Sequence, residues 1–330
     1  MMRVTLYLFF VLFISSSYAQ TYAFYEGEIQ GTTYHITCDN SQERDLSLEI
    51  DSILHVFDTH FSNYDTGSLI SQCNKDELTV AVDSLFSELI SESINISKKT
   101  AGAFDITVAP VVNAWGFGYK TGQFPTKATI DSMLTFIGYK NIAIENNTFI
   151  KNDKRISIIS NAVAQGFSCD YVARYFNTLQ INNYIIEIGG EIIAKGKNER
   201  GLVWTVGIDN PLNGNEIMTA AQLENMALAT SGNYRRFYMK DGKKYAHTID
   251  PKTGFPVEHN LLSATVITKT GLEADALATA FMVMGLDKAI EYTNKHSEIY
   301  AYLVYSNEAG ALQSYITKGF KKFIVNENLK

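Results

Sequence analysis

Along this chain the apolar residues switch repeatedly between a helical stripe and a strand-like run. This switching is the strongest constraint on the fold. A helix buries one stripe and a strand buries one face, so the two must stack in layers. Leu46, Ile50, Ile53, Leu54, Phe57 and Phe61 make one helical stripe. Val82, Leu85, Phe86, Leu89, Ile90 and Ile94 make a second. Lys98 and Lys99 suit the C-terminal end of that helix, and Gly102 suits its stop. Ile130, Met133, Leu134 and Ile137 predict a short helix closed by Gly138. Further helices are expected over 163–179, 273–284 and 287–296. Strands are expected over 155–159, 184–188, 202–208, 234–239, 245–249, 264–268, 299–305 and 312–316. Asp241-Gly242 between two of these runs signals a hairpin. The pattern predicts an α/β (α+β) fold, and 330 residues suit one large domain or two intimate ones.

Charge and composition narrow the function. The net charge is −7, which argues against a general nucleic-acid binder, since that needs a basic field to displace phosphate counterions. Aromatic residues at 12% argue against long disorder. The first residues read as a secretory signal: Arg3, an apolar run over 4–14, then small residues at Ser17 and Ala19. Cleavage before Gln20 is expected, leaving 20–330 as the mature chain. The apolar run is too short to span a bilayer as a helix. Cys38, Cys73 and Cys169 show no C-x-x-C spacing, and the six histidines show no ligand-like spacing among themselves.

Five stretches carry residues that are costly without a reason. Gly102, Gly116 and Gly118 surround Phe104, Asp105 and Trp115. This suits a backbone passing close to a ligand, or a helix stop followed by a buried strand. Gly189-Gly190 suits either close approach to a flat ligand or a bulge. Thr230, Ser231 and Gly232 offer hydroxyls and N–H groups to an anion, or make a turn. There is no Walker loop and no G-x-G-x-x-G. His247 ends a predicted strand just before an Asp-Pro-x-Thr-Gly turn, a common place for a catalytic group, although a lone histidine is more often structural. Asp275 and Thr279 are four apart, so a helix puts them on one face. A carboxylate and a hydroxyl together suit a hard cation such as Mg²⁺; they also suit a helix N-terminus with an incidental threonine.

Taken in order, these segments resemble the ApbE family, the FAD:protein FMN transferases. The ordered set includes Gly31-Thr-Thr-Tyr34, Ser62-Asn-Tyr64, Gly-Ala-Phe-Asp ending at Asp105, and Ala164-Gln-Gly166 with Asp170. It continues through Gly189-Gly190, Thr-Ser-Gly-x-Tyr-Arg from Thr230, His-x-Ile-Asp-Pro from His247, and Ala-Asp-Ala-Leu-Ala-Thr ending at Thr279. The resemblance covers about Gly31 to Gly285.

The resemblance implies a two-lobed, T-fold-related architecture with mixed sheets flanked by helices, and FAD held between the lobes. It implies Mg²⁺-dependent transfer of FMN from FAD to a Thr or Ser hydroxyl of an acceptor protein, with release of AMP. Tyr64, Ala103, Phe104, Asp105, Gln165, Thr230, Ser231, Gly232 and Ile249 are then expected at FAD. Ala162, through its carbonyl, with Asp275 and Thr279 would hold the metal; His247 and Asp275 would be catalytic. Two positions depart from the family: Ile159 stands where an acid is usual, and Gln165 where a charge is usual. The family acts on exported electron-transfer proteins such as Nqr- and Rnf-type subunits, so a periplasmic or extracytoplasmic location is expected. A Mg²⁺-dependent FAD pyrophosphatase and a flavin-binding protein without turnover are the alternatives.

Overall fold

Gln30 and Gly31 both adopt positive φ, 55° and 72°. They turn the chain in two residues between β1 (Tyr22–Ile29) and β2 (Thr32–Asp39). This opens a computed structural model that describes residues 21–119, 124–233, 237–240 and 243–325. The expected signal segment 1–19, Tyr234, Arg235, Arg236 and the Asp241-Gly242 pair lie outside the described residues.

The chain continues through α1 (Ser47–Phe61), α2 (Leu69–Cys73), β3 (Thr79–Ala81) and α3 (Ser84–Lys99). Next come α4 (Ala109–Ala114), α5 (Lys127–Leu134), β4 (Ile142–Glu145) and β5 (Thr148–Lys151). The central part is α6 (Ala164–Thr178), β6 (Tyr184–Ile188), β7 (Glu191–Lys195), β8 (Trp204–Asn210), β9 (Asn213–Leu223) and β10 (Met226–Gly232). It ends with β11 (Phe237–Lys240), β12 (Lys243–Ala246), β13 (Leu261–Thr268), α7 (Gly271–Met284), α8 (Leu286–Lys295), β14 (Tyr300–Ser306) and β15 (Leu312–Ile316).

Eight strands form the main sheet in the order β1-β2-β6-β7-β10-β13-β14-β15. Each of its pairings is antiparallel, so it is not a mixed sheet and the α+β form of the expected class is the one found. Side-chain alternation separates its two faces. Ala264 and Val266 of β13 join Phe281 and Leu277 of α7 in one core, while Ile267 turns to the opposite face with Leu228, Val206 and Phe320. Helices thus cover one face and the β8–β9 hairpin covers part of the other.

The helix boundaries follow local chemistry. Asp83 caps α3 by accepting from the Phe86 N–H at 2.9 Å. Gly102, at φ 80°, stops the same helix with its N–H on the Ser97 carbonyl at 2.7 Å. Gly116, at φ 79°, follows α4 in the same way. These two glycines end helices; neither lines a ligand cleft.

One expected strand is absent. Residues 155–159 join no sheet. The Ile156 and Ile159 N–H groups donate to the Asp153 and Ile106 carbonyls, and Ile158 bonds to side chains. Asn74 Oδ1 accepts from the Ile158 N–H at 2.7 Å, and the Asn63 and Asn74 amides donate to the Ile158 carbonyl. The fully buried Lys151 ammonium donates to the carbonyls of Cys73, Lys75 and Ile156 at 2.6–3.0 Å. Strand spacing alone gave no hint of these side-chain partners.

Helices α6 and α7 cross at a pair of glycines. A Cβ on Gly166 would lie 2.2 Å from the Gly271 carbonyl oxygen, and one on Gly271 equally close to the Gly166 oxygen. Asp170 of α6 accepts from the Gly271 and Leu272 N–H groups at 2.7 and 3.0 Å, while Thr270 Oγ1 accepts from Glu273. The orphan donors of the α7 N-terminus are therefore satisfied. Burial lifts the Asp170 pKa from 3.8 to about 6, although its two backbone bonds pull the other way.

Two outcomes follow from this crossing. Gly166→Ala should lower unfolding stability by about 1–3 kcal/mol, since backbone cannot yield as a side chain does; an unchanged urea midpoint would contradict the contact. Asp170 binds more protons folded than unfolded between its ordinary pKa and about 6. Its contribution to stability is therefore full below that window and declines as pH rises through it. Asp170→Asn should flatten that part of the stability–pH curve while lowering stability by about 1–3 kcal/mol, because its amide sets a donor against a backbone donor.

Candidate active site

The α6–α7 crossing carries polar groups to one side of the sheet. Helix α7 is apolar on nearly every face, as a buried helix must be, with Glu273, Asp275 and Thr279 its polar side chains and Asp275 the buried acid. Ala227 and Ala229 of β10 pack on Ala274, and these small side chains let the helix lie close to the strand. Thr279, one turn beyond Asp275, thereby meets Ser231 with their hydroxyl oxygens 3.0 Å apart. Thr230 pairs across the sheet with Thr265 at 2.9 Å. Thr230, Ser231 and Gly232 are thus the end of a paired strand, not a turn.

Asp275 is 5% exposed. Its carboxylate accepts from the Gly166 N–H at 3.3 Å. Burial raises its pKa from 3.8 to about 7, and among the described residues that N–H offsets the shift. Asp275, Thr279, Ser231, Thr230 and Gly232 all border one cleft of about 1000 Å³. This volume lies at the top of the range of about 300–1,000 Å³ for small-molecule and cofactor sites.

The same cleft gathers most of the residues that the sequence singles out. Tyr64, 65% exposed, stands at its edge; Ala162, Gln165, His247 and Ile249 line it. Ser160 fixes the segment before α6: its hydroxyl donates to the Phe61 carbonyl at 2.7 Å and its N–H donates to Asn63 Oδ1 at 3.0 Å. Its own carbonyl accepts from Val163 and Ala164, both at 2.9 Å. Ile159 also lines the cleft and gives it an apolar wall. Gly189 and Gly190 form the two-residue turn between β6 and β7, at φ 67° and 106°, and both border the cleft. The pair makes a tight hairpin turn, not a bulge, in a backbone conformation that glycine allows.

His247 follows β12 directly. Its ring meets the Phe117 ring edge-on at a centroid distance of 6.4 Å. The turn after it is braced from two sides. Trp115 Nε1 donates to the Gly254 carbonyl at 2.9 Å, and the Thr248 hydroxyl donates to Asn233 Oδ1 at 2.6 Å. Catalytic geometry needs such bracing, because a misplaced base loses its reach.

Ala103, Phe104 and Asp105 are not part of the cleft lining. Phe104 is 2% exposed in the helical core. The Asp105 carboxylate accepts from the Thr107 N–H and hydroxyl at 2.9 and 2.6 Å and from the Tyr139 N–H at 2.7 Å. Burial raises its pKa, and those bonds oppose the rise. In this structure it organises the segment leading to Val108, Val112 and Phe117, which do line the cleft. Cleft residues missed from sequence include Gln30, Asp58 and Asp209. They lie at the β1–β2 turn, on α1 and on the β8–β9 hairpin, which only the tertiary fold brings together.

Comparison with known proteins now bears on this geometry. The ApbE family profile matches residues 30–303. The chain belongs to the ApbE family. It is 34% identical over 318 residues to the FAD:protein FMN transferase of Haemophilus influenzae, covering 90% of this chain and 89% of that one. To the Escherichia coli K12 protein of the same name it is 32% identical over 314 residues, covering 92% and 89%. The flavin transferase ApbE from Vibrio cholerae superposes with a TM-score of 0.83 at 32% identity, over 92% of this chain and 99% of that one. The apo flavinyl transferase ApbE of Pseudomonas stutzeri gives 0.85 at 28% identity, over 93% and 98%.

The donor set of this ApbE cleft suits a hard cation. It offers a buried carboxylate beside two neighbouring hydroxyls, all oxygen donors. Among the described residues no group of three or more His, Cys, Asp or Glu side chains is placed to hold a metal ion, so a cation here would rely on one carboxylate with hydroxyl and backbone oxygens.

Proposed function

We propose that this chain transfers FMN from FAD to a Thr or Ser hydroxyl of an acceptor protein and releases AMP. The observation that carries the reading is the convergence of Asp275, Thr279, Ser231 and His247 on one cleft of cofactor size. The names of its relatives, FAD:protein FMN transferases, support it.

In this reading the acceptor oxygen attacks the phosphorus on the FMN side of the diphosphate. A phosphorus–oxygen bond forms to the acceptor and the bond to AMP breaks. His247 takes the proton of the incoming hydroxyl, whose pKa lies far above neutrality. Thr230, Ser231 and Gly232 present hydroxyl and N–H donors to phosphate oxygens. Tyr64, Gln165 and Ile249 border the nucleotide. Asp275, Thr279 and the Ala162 carbonyl would hold Mg²⁺, which when bound neutralises diphosphate charge as a Lewis acid. The segment 1–19 supports export, with one two-lobed catalytic unit over 20–330 acting on the extracytoplasmic side. The acceptor is a protein of an electron-transfer complex, such as an Nqr- or Rnf-type subunit.

Incubating the purified chain with FAD, Mg²⁺ and a candidate acceptor tests the reading. AMP together with a flavin-labelled acceptor is expected. AMP and free FMN with an acceptor left unlabelled would replace transfer by hydrolysis, and retained FAD without AMP would leave only binding. His247→Ala should slow transfer by about 10²–10⁴-fold with FAD affinity little changed; full transfer by that variant would remove the base role. Asp275→Asn should abolish the dependence of the rate on Mg²⁺, whereas an unaltered Mg²⁺ titration would place the metal elsewhere.

A further inference from the structure

A row of aromatic rings leads from His247 out of the cleft. Phe117 lines the cleft and meets the His247 ring edge-on at 6.4 Å. The Tyr238 ring of β11 stacks on Phe117 at 4.7 Å, and its hydroxyl donates to the Gly116 carbonyl at 3.0 Å. Phe124 then meets Tyr238 edge-on at 6.3 Å. Trp115 and Tyr245 hold Phe124 in turn, at centroid distances of 5.7 and 5.2 Å. Tyr238 and Phe124 are not part of the cleft lining, and they are 44% and 36% exposed. A single exposed apolar side chain needs no explanation, but two rings fixed in one row beside a candidate base form a surface.

The transfer reading leaves one reactant without a place. FAD fills the cleft, whereas the acceptor is a protein and must bring its hydroxyl to His247 from outside. The chain flanking that hydroxyl then lies on surface that continues outward from His247, and the row of rings does so. We propose that Phe117, Tyr238 and Phe124 form the docking shelf for the acceptor segment that carries the target Thr or Ser. The segment binds extended, with apolar side chains close to the target residue. Side chains on one face of an extended chain recur about every 7 Å, close to the ring-to-ring steps of 6.4 and 6.3 Å. Among the described residues β11 and β12 pair only with each other, so the ribbon beside the shelf also keeps backbone edges for an extended partner. Aromatic rings suit such a contact, because they give large area for little loss of side-chain freedom. The inference rests on the transfer reading and names the kind of segment that this site accepts.

The test follows transfer by the purified full-length chain to an Nqr- or Rnf-type subunit that the wild type labels, with FAD and Mg²⁺ saturating. Phe124→Ser and Tyr238→Ser lie on separate segments, so local unfolding of one does not imitate the other. Each should raise the KM for the acceptor at least about 10-fold, with kcat at saturating acceptor and FAD affinity in EDTA little changed. Tyr238→Phe keeps the ring and should keep the wild-type KM. Replacing the apolar residues within about four positions of the labelled residue by Ser should cost a similar factor. The two losses should not add, because both remove one contact. Unchanged acceptor KM in both Ser variants, or a labelled segment without an apolar residue in that span, would overturn the inference and leave the transfer reading intact. Weakened FAD binding in both variants would assign the shelf to the nucleotide and overturn it. A dimer that Phe124→Ser dissociates, with the acceptor KM unchanged, would assign the shelf to a second copy and overturn it too. Failure of the wild type to label any such subunit would overturn the transfer reading and this inference together.

Discussion

The contact between Gly166 and Gly271 governs the rest of this structure. Two helices can approach so closely only where neither carries a side chain. At that distance each supplies a carboxylate to the other's backbone: Asp170 of α6 to the start of α7, and Asp275 of α7 to the Gly166 N–H. The exchange fixes α7 in rotation as well as position. Thr279 is therefore held against Ser231, and Asp275 faces the cleft from inside the apolar layer. Both carboxyls are raised in pKa by burial, the cost of placing acids in a helical core. Asp170 returns that cost as a cap. Asp275 has one long backbone bond, and its remaining capacity is directed to the cleft.

Much of this was legible in the sequence. The stripes of α1, α3, α6 and α7 are regular, and β15 was read to the residue. Spacing puts Asp275 and Thr279 on one helix face and His247 beside a proline turn, but only the family resemblance singled them out as site residues. The β1–β2 hairpin and strands β9 and β10 were less visible: Gln30-Gly31 is not one of the usual hairpin turn pairs, β9 begins with polar residues, and β10 pairs with β7 and β13 far away in sequence. Residues 155–159 have strand spacing but are held by Asn63, Asn74 and Lys151, which no local pattern announces. The Gly-Ala-Phe-Asp stretch drew attention through its composition, yet its glycine ends a helix and its aspartate organises a segment beneath the cleft.

The acidic balance also takes on a local meaning. A chain of net charge −7 lacks the basic field expected around a polyanion, yet the proposed substrate is a diphosphate. In the proposed reading the cleft would meet this by short-range means. Hydroxyls of Thr230, Ser231 and Thr279 and backbone N–H groups would supply donors, and a cation beside Asp275 would supply the charge. Such a site would be selective, since anions without a matching metal geometry find little attraction there. Ile159 fits the same logic, because it puts an apolar side chain, without negative charge, on the cleft wall.

The central claim is that the α6–α7 crossing builds a cation site at Asp275 facing bound FAD. A crystal structure of the chain with FAD and Mn²⁺, with anomalous scattering recorded at the manganese edge, tests it most directly. The account predicts an anomalous peak within coordination distance of the Asp275 carboxylate and Thr279 Oγ1, in contact with the FAD diphosphate. FAD bound in the cleft with the peak absent, or with the peak away from Asp275, would contradict it.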